Sequence, residues 1–568
     1  NNDKRSSWSI KISRLKNIIV KNVDHHQKSV FLLTIPLVLA TFTHLWNPIG
    51  FPDVFYDEGV YMRRAMHVLG GFGPQELFEG ENPYYDHPYF GQLFLACVFK
   101  VIGYPNLLLN LSSSSSSDSN VLHSIQMLYL VPRVLMGIFA VLDTFLLYKI
   151  SERRYNGNIA FIASILFAVM PITWLTRRIL LDSILLPFVL SSILFAVYYN
   201  CYTKSSSNND DTSNNNNNSY KKKNIPSILI SGIFLGLAIF TKIPAFTMIP
   251  LVGFLVYRNN TNDKKEFPDY VLKLSYNRNL RTLGLWFIPV VLIPLLWPAY
   301  SVSLGQFNYW LGGVKYQGTE RHIHDKTLSD AINLFFQTDP VLLVLGMVGL
   351  IYAAIKRDFF LLLWIIPYII FLHFIGYVQY FYWIPVLPAF SIAAARLIVD
   401  LPNKISKKRI QKILPFIIIS AIGIFGLVST TMLITTNVSS QFQAAAFVAR
   451  YLGDSSTGSK DATIISSPIY SWIFGYIYNK TAYGFSDFRD LLFLPIKTGK
   501  ILLISDQHFI SDMRSSKQLQ TIYSNTTAIA TFRGGVINFN NYKYPYASMN
   551  LNYEGSEVEI RVDKKSSS

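Results

Sequence analysis

Cysteine is nearly absent: Cys97 and Cys201 are the two in 568 residues, and both sit in apolar surroundings. That count excludes a disulfide framework and a cysteine-based metal cluster. Charge is sparse as well, at 15% of the chain against about 25% in a typical soluble domain. A chain that is 51% hydrophobic and 15% aromatic cannot cover a water-facing surface with so little charge. Acids are scarcer than bases, 34 against 51, for a net charge of +17. Such an excess would suit nucleic acid if it formed one face with interleaved aromatics. Instead Lys and Arg gather in short connectors, at Lys149-Arg153-Arg154, Lys221 to Lys223, Lys264-Lys265, Lys356-Arg357 and Lys404 to Lys412. No nucleic-acid partner is expected.

Long apolar runs fill the space between these connectors. They lie at 30–46, 131–148, 159–175, 184–201, 283–297, 359–375, 384–399 and 413–434, with weaker ones at 225–240, 243–256 and 341–355. Each approaches the ~20 residues that a spanning helix needs, so an all-α polytopic membrane protein of about eleven spans is expected. The segment 88–103 is apolar but short and contains Gln92 and Lys100, which suits a helix lying in the interface. Keeping it outside places 21 Lys and Arg in one set of loops and 6 in the other. By the positive-inside bias the N-terminus is inside and the C-terminus outside. The basic tail 1–29 is followed by no A-x-A-like site, so an uncleaved anchor is expected.

The expected organisation is a cytoplasmic tail (1–29), a transmembrane domain (30–436) with large outer loops at 49–130 and 301–338, and a C-terminal domain (437–568) outside the membrane. Polar runs at 111–120 and 204–224 have nothing to bury. Beyond 437 a helical pattern at 441–452 alternates with strand-like stretches at 462–467, 501–505, 528–532, 536–539 and 557–562, as in a small α/β or α+β domain.

Under this topology the outer surface collects ionisable groups from distant loops: Asp57, Glu58, Asp86, His87, Arg133, Arg177, Arg178, Asp182, Lys242, Arg321, His322 and His324. Ionisable groups at membrane depth are costly and mark function. Asp57 and Glu58 open a helical pattern, where an N-cap and a dipole partner would account for them equally well. A carboxylate beside apolar lipid also serves as a general base. Arg177 and Arg178 suit snorkelling anchors paired with Asp182, or substrate ligands. Lys242, alone in a tight outer turn, runs against the charge bias and suits a phosphate ligand. His322 and His324 have the spacing of a divalent-metal pair if both point the same way, so a metal is a candidate cofactor and none is certain. Tyr377, Tyr380, Tyr382 and Trp383 suit an interfacial aromatic belt, with sugar stacking the alternative.

Several of these stretches occur in an order that resembles the GT-C superfamily of polytopic glycosyltransferases, and within it glycosyltransferase family 39, the protein O-mannosyltransferase and aminoarabinose transferase type. FYDEGVY resembles that family's Asp-Glu motif. DHPYFGQ is similar to its His-Pro-Pro-Leu-Gly-Lys motif, with Tyr89 for the second Pro and Gln92 for the Lys. RVLMGIFA, opened by Arg133, resembles the start of its second span, and TRRILLDSILLPF its Ser-Arg-x-x-Leu-Leu-Asp-Ser motif. GIFLGLAIFTKIPAF and QYFYWIPVLP are similar to its Gly-rich segment ending in Lys and to its Tyr-rich approach to a late span. No MIR domain is present, and the Trp-Trp-Asp-x-Gly motif of oligosaccharyltransferases is missing. The resemblance implies an inverting transfer of a sugar from a polyprenyl or dolichyl phosphate to a protein, glycan or lipid hydroxyl. Asp57 would be the base, and Glu58, Asp86, His87, Arg133, Arg177, Arg178, Asp182, Lys242 and Arg321 would bind substrate. The expected setting is a prokaryotic, for instance archaeal, cell membrane with the site on its outer side. The competing class, a transporter or flippase of a lipid-linked or small solute, would use midplane charges and internal repeats; no repeat is visible.

Overall fold

A computed structural model describes residues 30–74, 83, 85–104, 118–204, 225–261, 269–321, 327–404, 408–435, 440–453, 462–484, 501–506, 509–510, 513–514, 516–533 and 557–563. Helices occupy all eleven apolar runs. In chain order they are α1 (Val30–Leu45), α2 (Tyr56–Leu69), α3 (Phe90–Val101), α4 (Asp118–Arg154), α5 (Gly157–Val169), α6 (Leu181–Lys204), α7 (Ile225–Thr241), α8 (Ile249–Thr261), α9 (Asp269–Leu292), α10 (Leu296–Ser303), α11 (Phe307–Lys315), α12 (Leu328–Thr338), α13 (Pro340–Ile355), α14 (Phe359–Phe374), α15 (Leu387–Asp400), α16 (Lys408–Thr435) and α17 (Ser440–Gly453). Among the described residues four helical stretches are long and apolar enough to cross a membrane alone, rising to seven if each bent pair is one span, and five shorter apolar helices accompany them.

The exposed face of these helices is apolar. On α13, Val344, Met347, Val348, Ile351 and Ile355 are open, and on α16, Ile413, Ile417, Ile424, Phe425 and Val428. Apolar stripes this continuous have lipid as their solvent; the chain is an integral membrane protein. Interior contacts are correspondingly close. Ser192 of α6 and Ser231 of α7 each donate to the other's carbonyl at 2.8 Å. Gly232 and Gly236 let α7 approach the carbonyls of Trp286 and Pro289 on α9, and a Cβ at Gly236 would lie 2.5 Å from the Pro289 oxygen. Small residues permit such backbone contact in lipid.

Three of the expected runs carry a 3-10 segment at one end. The run 159–175 bends by 72° after Met170, because Pro171 disfavours helix at the residue before it and brings no amide donor. A buried 3-10 segment, Pro171–Arg177, follows. Similar 3-10 segments lie at Ile243–Met248, with Pro244 in its first turn, and at Tyr380–Val386, which contains Pro385. The short helix α3 falls within the segment 88–103: Gly91, Gln92, Leu95, Ala96 and Phe99 are buried, and Cys97 and Lys100 are exposed.

The C-terminal part forms a five-stranded mixed sheet. Strands β1 (Thr463–Ser466), β2 (Ala482–Gly484), β3 (Ile501–Ser505), β4 (Thr526–Arg533) and β5 (Glu557–Asp563) lie in the order β2-β1-β3-β5-β4. The first three are parallel and the last two antiparallel. Four of the five expected strands appear; β2, only three residues long, carries too little pattern to announce itself, and 536–539 lies outside the described residues.

If the α7–α9 approach stabilises the bundle, Gly236→Val lowers the thermal unfolding temperature of the detergent-solubilised protein, for a cost of about 1–3 kcal/mol. Gly284→Ala, where a Cβ meets open space, leaves it unchanged.

Candidate active site

The broken helix ends converge on α2. Its first turn is Tyr56-Asp57-Glu58-Gly59, and the Glu58 carboxylate accepts the Phe55 amide at 2.8 Å, so Glu58 caps the helix and Phe55, not Asp57, precedes it. Glu58 is fully buried. Arg133, near the outer end of the apolar part of α4, binds it at 2.9 and 3.2 Å. Arg178 binds it at 3.3 Å and the Ile179 amide at 3.0 Å. Burial alone would raise its pKa, but Arg133 and Arg178 outweigh that and hold the carboxyl below its ordinary value.

The same bonds consume the arginines. Arg133 also donates to the carbonyls of Pro48 and Pro52, at 2.9 and 2.6 Å. Arg178 donates to the Asp53 carbonyl at 2.8 Å and lies over the Phe55 and Trp174 rings. Arg177 donates to the Trp46 carbonyl and lies over Phe51. All three are buried. Glu58, Arg133, Arg177 and Arg178, expected to touch substrate from the outer surface, are thus internal fasteners. The break at Pro171 turns Arg177 and Arg178 inward, so they are not interfacial snorkelling anchors.

Lys242 is also buried, just before the Ile243–Met248 segment. Its Nζ lies 2.6 Å from Asp182 Oδ2 and 4.0 Å from the Tyr382 ring centre. Asp182 therefore pairs with Lys242 and not with the arginines beside it. Its second oxygen, Oδ1, is buried with no hydrogen-bond partner.

Across from this pair, Asp86 takes both terminal nitrogens of Arg64, at 2.9 and 3.0 Å. Burial opposes its charge, but Arg64 and His87 hold its pKa below the usual value. His87 is half-buried. Its pKa is pushed down to about 4, by burial first and then by Lys242, Arg64 and Arg321 against the opposing pull of Asp86. The imidazole is therefore neutral near pH 7. Asp57 is half-buried, and Tyr61 lies within the electrostatic reach of Asp57, Asp182, Asp86 and Arg64. Arg321 lies 4.0 Å from the Tyr377 ring centre, and Asp57 also acts on Tyr377.

Asp57, Asp86, His87, Asp182, Lys242 and Arg321 thus share one neighbourhood. Two kinds of residue were not foreseen there. Arg64 follows Asp57 by seven positions, two helical turns on one face, a spacing visible in the sequence. Tyr377, Tyr380 and Tyr382 are buried near Arg321, Arg178 and Lys242, whereas Trp383 donates to the Ala331 carbonyl and packs on Phe335 and Phe390. Among the described residues no cluster of His, Cys, Asp or Glu could hold a metal ion, and His322 and His324 lie outside them.

Two outcomes follow. Glu58→Gln leaves two guanidinium groups buried without their counter-charge and costs about 3–5 kcal/mol, seen as loss of folded protein on size exclusion in detergent. Because His87 titrates at about 4 in the fold and near 6.5 when unfolded, the unfolded chain binds the extra proton between those values. Stability therefore falls as pH drops from about 6.5 towards 4, and thermal unfolding of His87→Asn lacks that component.

The family model for dolichyl-phosphate-mannose-protein mannosyltransferases matches residues 78–304. No curated protein sequence matches the chain. Among solved structures, ArnT from Cupriavidus metallidurans bound to undecaprenyl phosphate is similar at 11% identity, covering 94% of this chain and 97% of that one with a TM-score of 0.50. The archaeal oligosaccharyltransferase AglB from Archaeoglobus fulgidus, in complex with an inhibitory peptide and a dolichol-phosphate, is 14% identical with a TM-score of 0.46. That match covers 80% of this chain and 64% of AglB, less than two thirds of its length. The chain is thus similar to dolichyl-phosphate-mannose-protein mannosyltransferases over residues 78–304 and to ArnT in fold.

Proposed function

We propose that the protein transfers a sugar from a polyprenyl or dolichyl phosphate to an acceptor hydroxyl, with inversion, at the extracytoplasmic face of a prokaryotic membrane. The observation that carries this is the gathering of Lys242, Arg64 and Arg321 around His87, beside the half-buried carboxylate of Asp57. One face of the cleft is cationic and the other offers a base.

The chemistry divides along those faces. The phosphate is a good leaving group and needs charge stabilisation more than protonation, which Lys242 and Arg321 supply. Asp182 sets the position of Lys242 by their 2.6 Å pair. Asp57 takes the proton from the acceptor hydroxyl as its oxygen attacks the anomeric carbon opposite the phosphate. The C–O bond to phosphate then breaks, its electron pair stays on the phosphate, and the anomeric centre inverts. A neutral His87 adds no charge and serves as a hydrogen-bonding group toward sugar or acceptor. The acceptor is a protein, glycan or lipid hydroxyl. No step requires a metal.

Membranes incubated with radiolabelled polyprenyl-phosphate sugars test this. Asp57→Asn is expected to lower kcat by about 10²–10⁴-fold with little change in donor KM. Unchanged transfer by that variant would remove Asp57 from the chemistry. Lys242→Met is expected to impair kcat and donor binding together, since the lysine acts on the phosphate in both states.

A further inference from the structure

The helix that carries Asp57 is held from two sides, and the second side is the C-terminal segment. Three residues ahead of Asp57, the Val54 amide donates to Gln441 Oε1 at 2.7 Å, and Gln441 Nε2 donates back to the Val54 carbonyl at 2.8 Å. Gln441 belongs to α17, some 387 positions away in sequence. Two residues beyond Asp57, Gly59 lies against the backbone of Pro468 and Ile469. A Cβ there would stand 2.5 Å from the Ile469 nitrogen and 2.6 Å from the Ile469 α-carbon and the Pro468 carbonyl carbon. The partners are backbone, so no side chain can swing away to admit a methyl group.

A buried relay fixes that contact. Trp472 Nε1 donates to the Tyr129 hydroxyl at 2.8 Å, and this hydroxyl donates to the Ile469 carbonyl at 3.0 Å. Tyr129 precedes Arg133 by one turn of α4, and Arg133 binds Glu58, the residue before Gly59. Tyr129, Ile469 and Trp472 are at most 1% exposed. The first turn of α2 therefore sits between the Glu58 ion pairs and the Gln441–Ile469–Trp472 surface.

We propose that Gln441, Ile469 and Trp472 are positioning residues that set the reach of Asp57 into the cleft. This rests on Asp57 being the base. None of the three needs to touch substrate. A displacement of about 1 Å at a catalytic group costs up to 10²-fold in rate, and this surface is the contact that sets where α2 stops.

The test uses the full-length protein in detergent or proteoliposomes, with radiolabelled polyprenyl-phosphate sugar as probe. Gly59→Ala is expected to lower kcat about 10–100-fold at unchanged donor KM. Trp472→Phe, which keeps the ring and loses the N–H donor, is expected to lower kcat several-fold and to shift the acid limb of the kcat–pH profile, because the surroundings of Asp57 change. A purely structural loss would reduce active enzyme and leave that limb in place. Wild-type kcat and pH limb in folded Gly59→Ala and Trp472→Phe, with Asp57→Asn inactive, overturn the positioning role alone. Full transfer by Asp57→Asn overturns the assignment of the base instead. Should Gly59→Ala fail to fold, Trp472→Phe and Gln441→Leu decide on the same readouts.

Discussion

One buried negative charge organises the outer half of the molecule. Glu58 has no water contact, so its carboxylate must be neutralised and fully hydrogen-bonded inside the protein. Two guanidinium groups and two backbone amides, those of Phe55 and Ile179, do this. The arginines come from α4 and from the end of a 3-10 segment, so satisfying one carboxylate ties three distant pieces of chain into one block. Asp57 stands next to it on the half-open side of the same helical turn. Rigidity at position 58 becomes aim at position 57.

Breaks in helices supply the partners. A straight span delivers only its terminal residues to the outer surface, whereas a helix broken near its end folds back and buries polar groups in the protein interior, where irregular backbone is tolerated. Arg177 and Arg178 close the Pro171–Arg177 segment, Lys242 precedes the Ile243–Met248 segment, and Tyr382 lies inside Tyr380–Val386. A proline stands in each of the three. Lys242 is thereby brought to Asp182 and the Tyr382 ring.

Much of this could be read from residue order. Apolar runs marked the positions of the long helices, and the ionisable residues expected to act together, among them Asp57, Asp86, His87, Asp182 and Lys242, come from separate elements in the fold. Pairing was not legible. Asp182 sits close to Arg177 and Arg178 in sequence, yet its partner is Lys242, 60 positions on, because the extended backbone at Arg178 aims its guanidinium toward α2. Tyr377 to Trp383 read as a belt because interfacial and site-lining aromatics have the same composition. The C-terminal strands were visible from alternation, but the contact of Pro468 and Ile469 with Gly59 was not.

The sequence by itself determined that the chain lives in a membrane, where its helices begin and which ionisable residues belong together, because periodicity and the cost of charge in lipid are local properties of residue order. Tertiary structure alone decided which of those residues pair with which and how deeply each is buried. Glu58 and Asp57 are adjacent acids with the same intrinsic chemistry. They differ because the fold encloses one between arginines and leaves the other on the open side of the helix, and enclosure is a property of packed neighbours from hundreds of residues away.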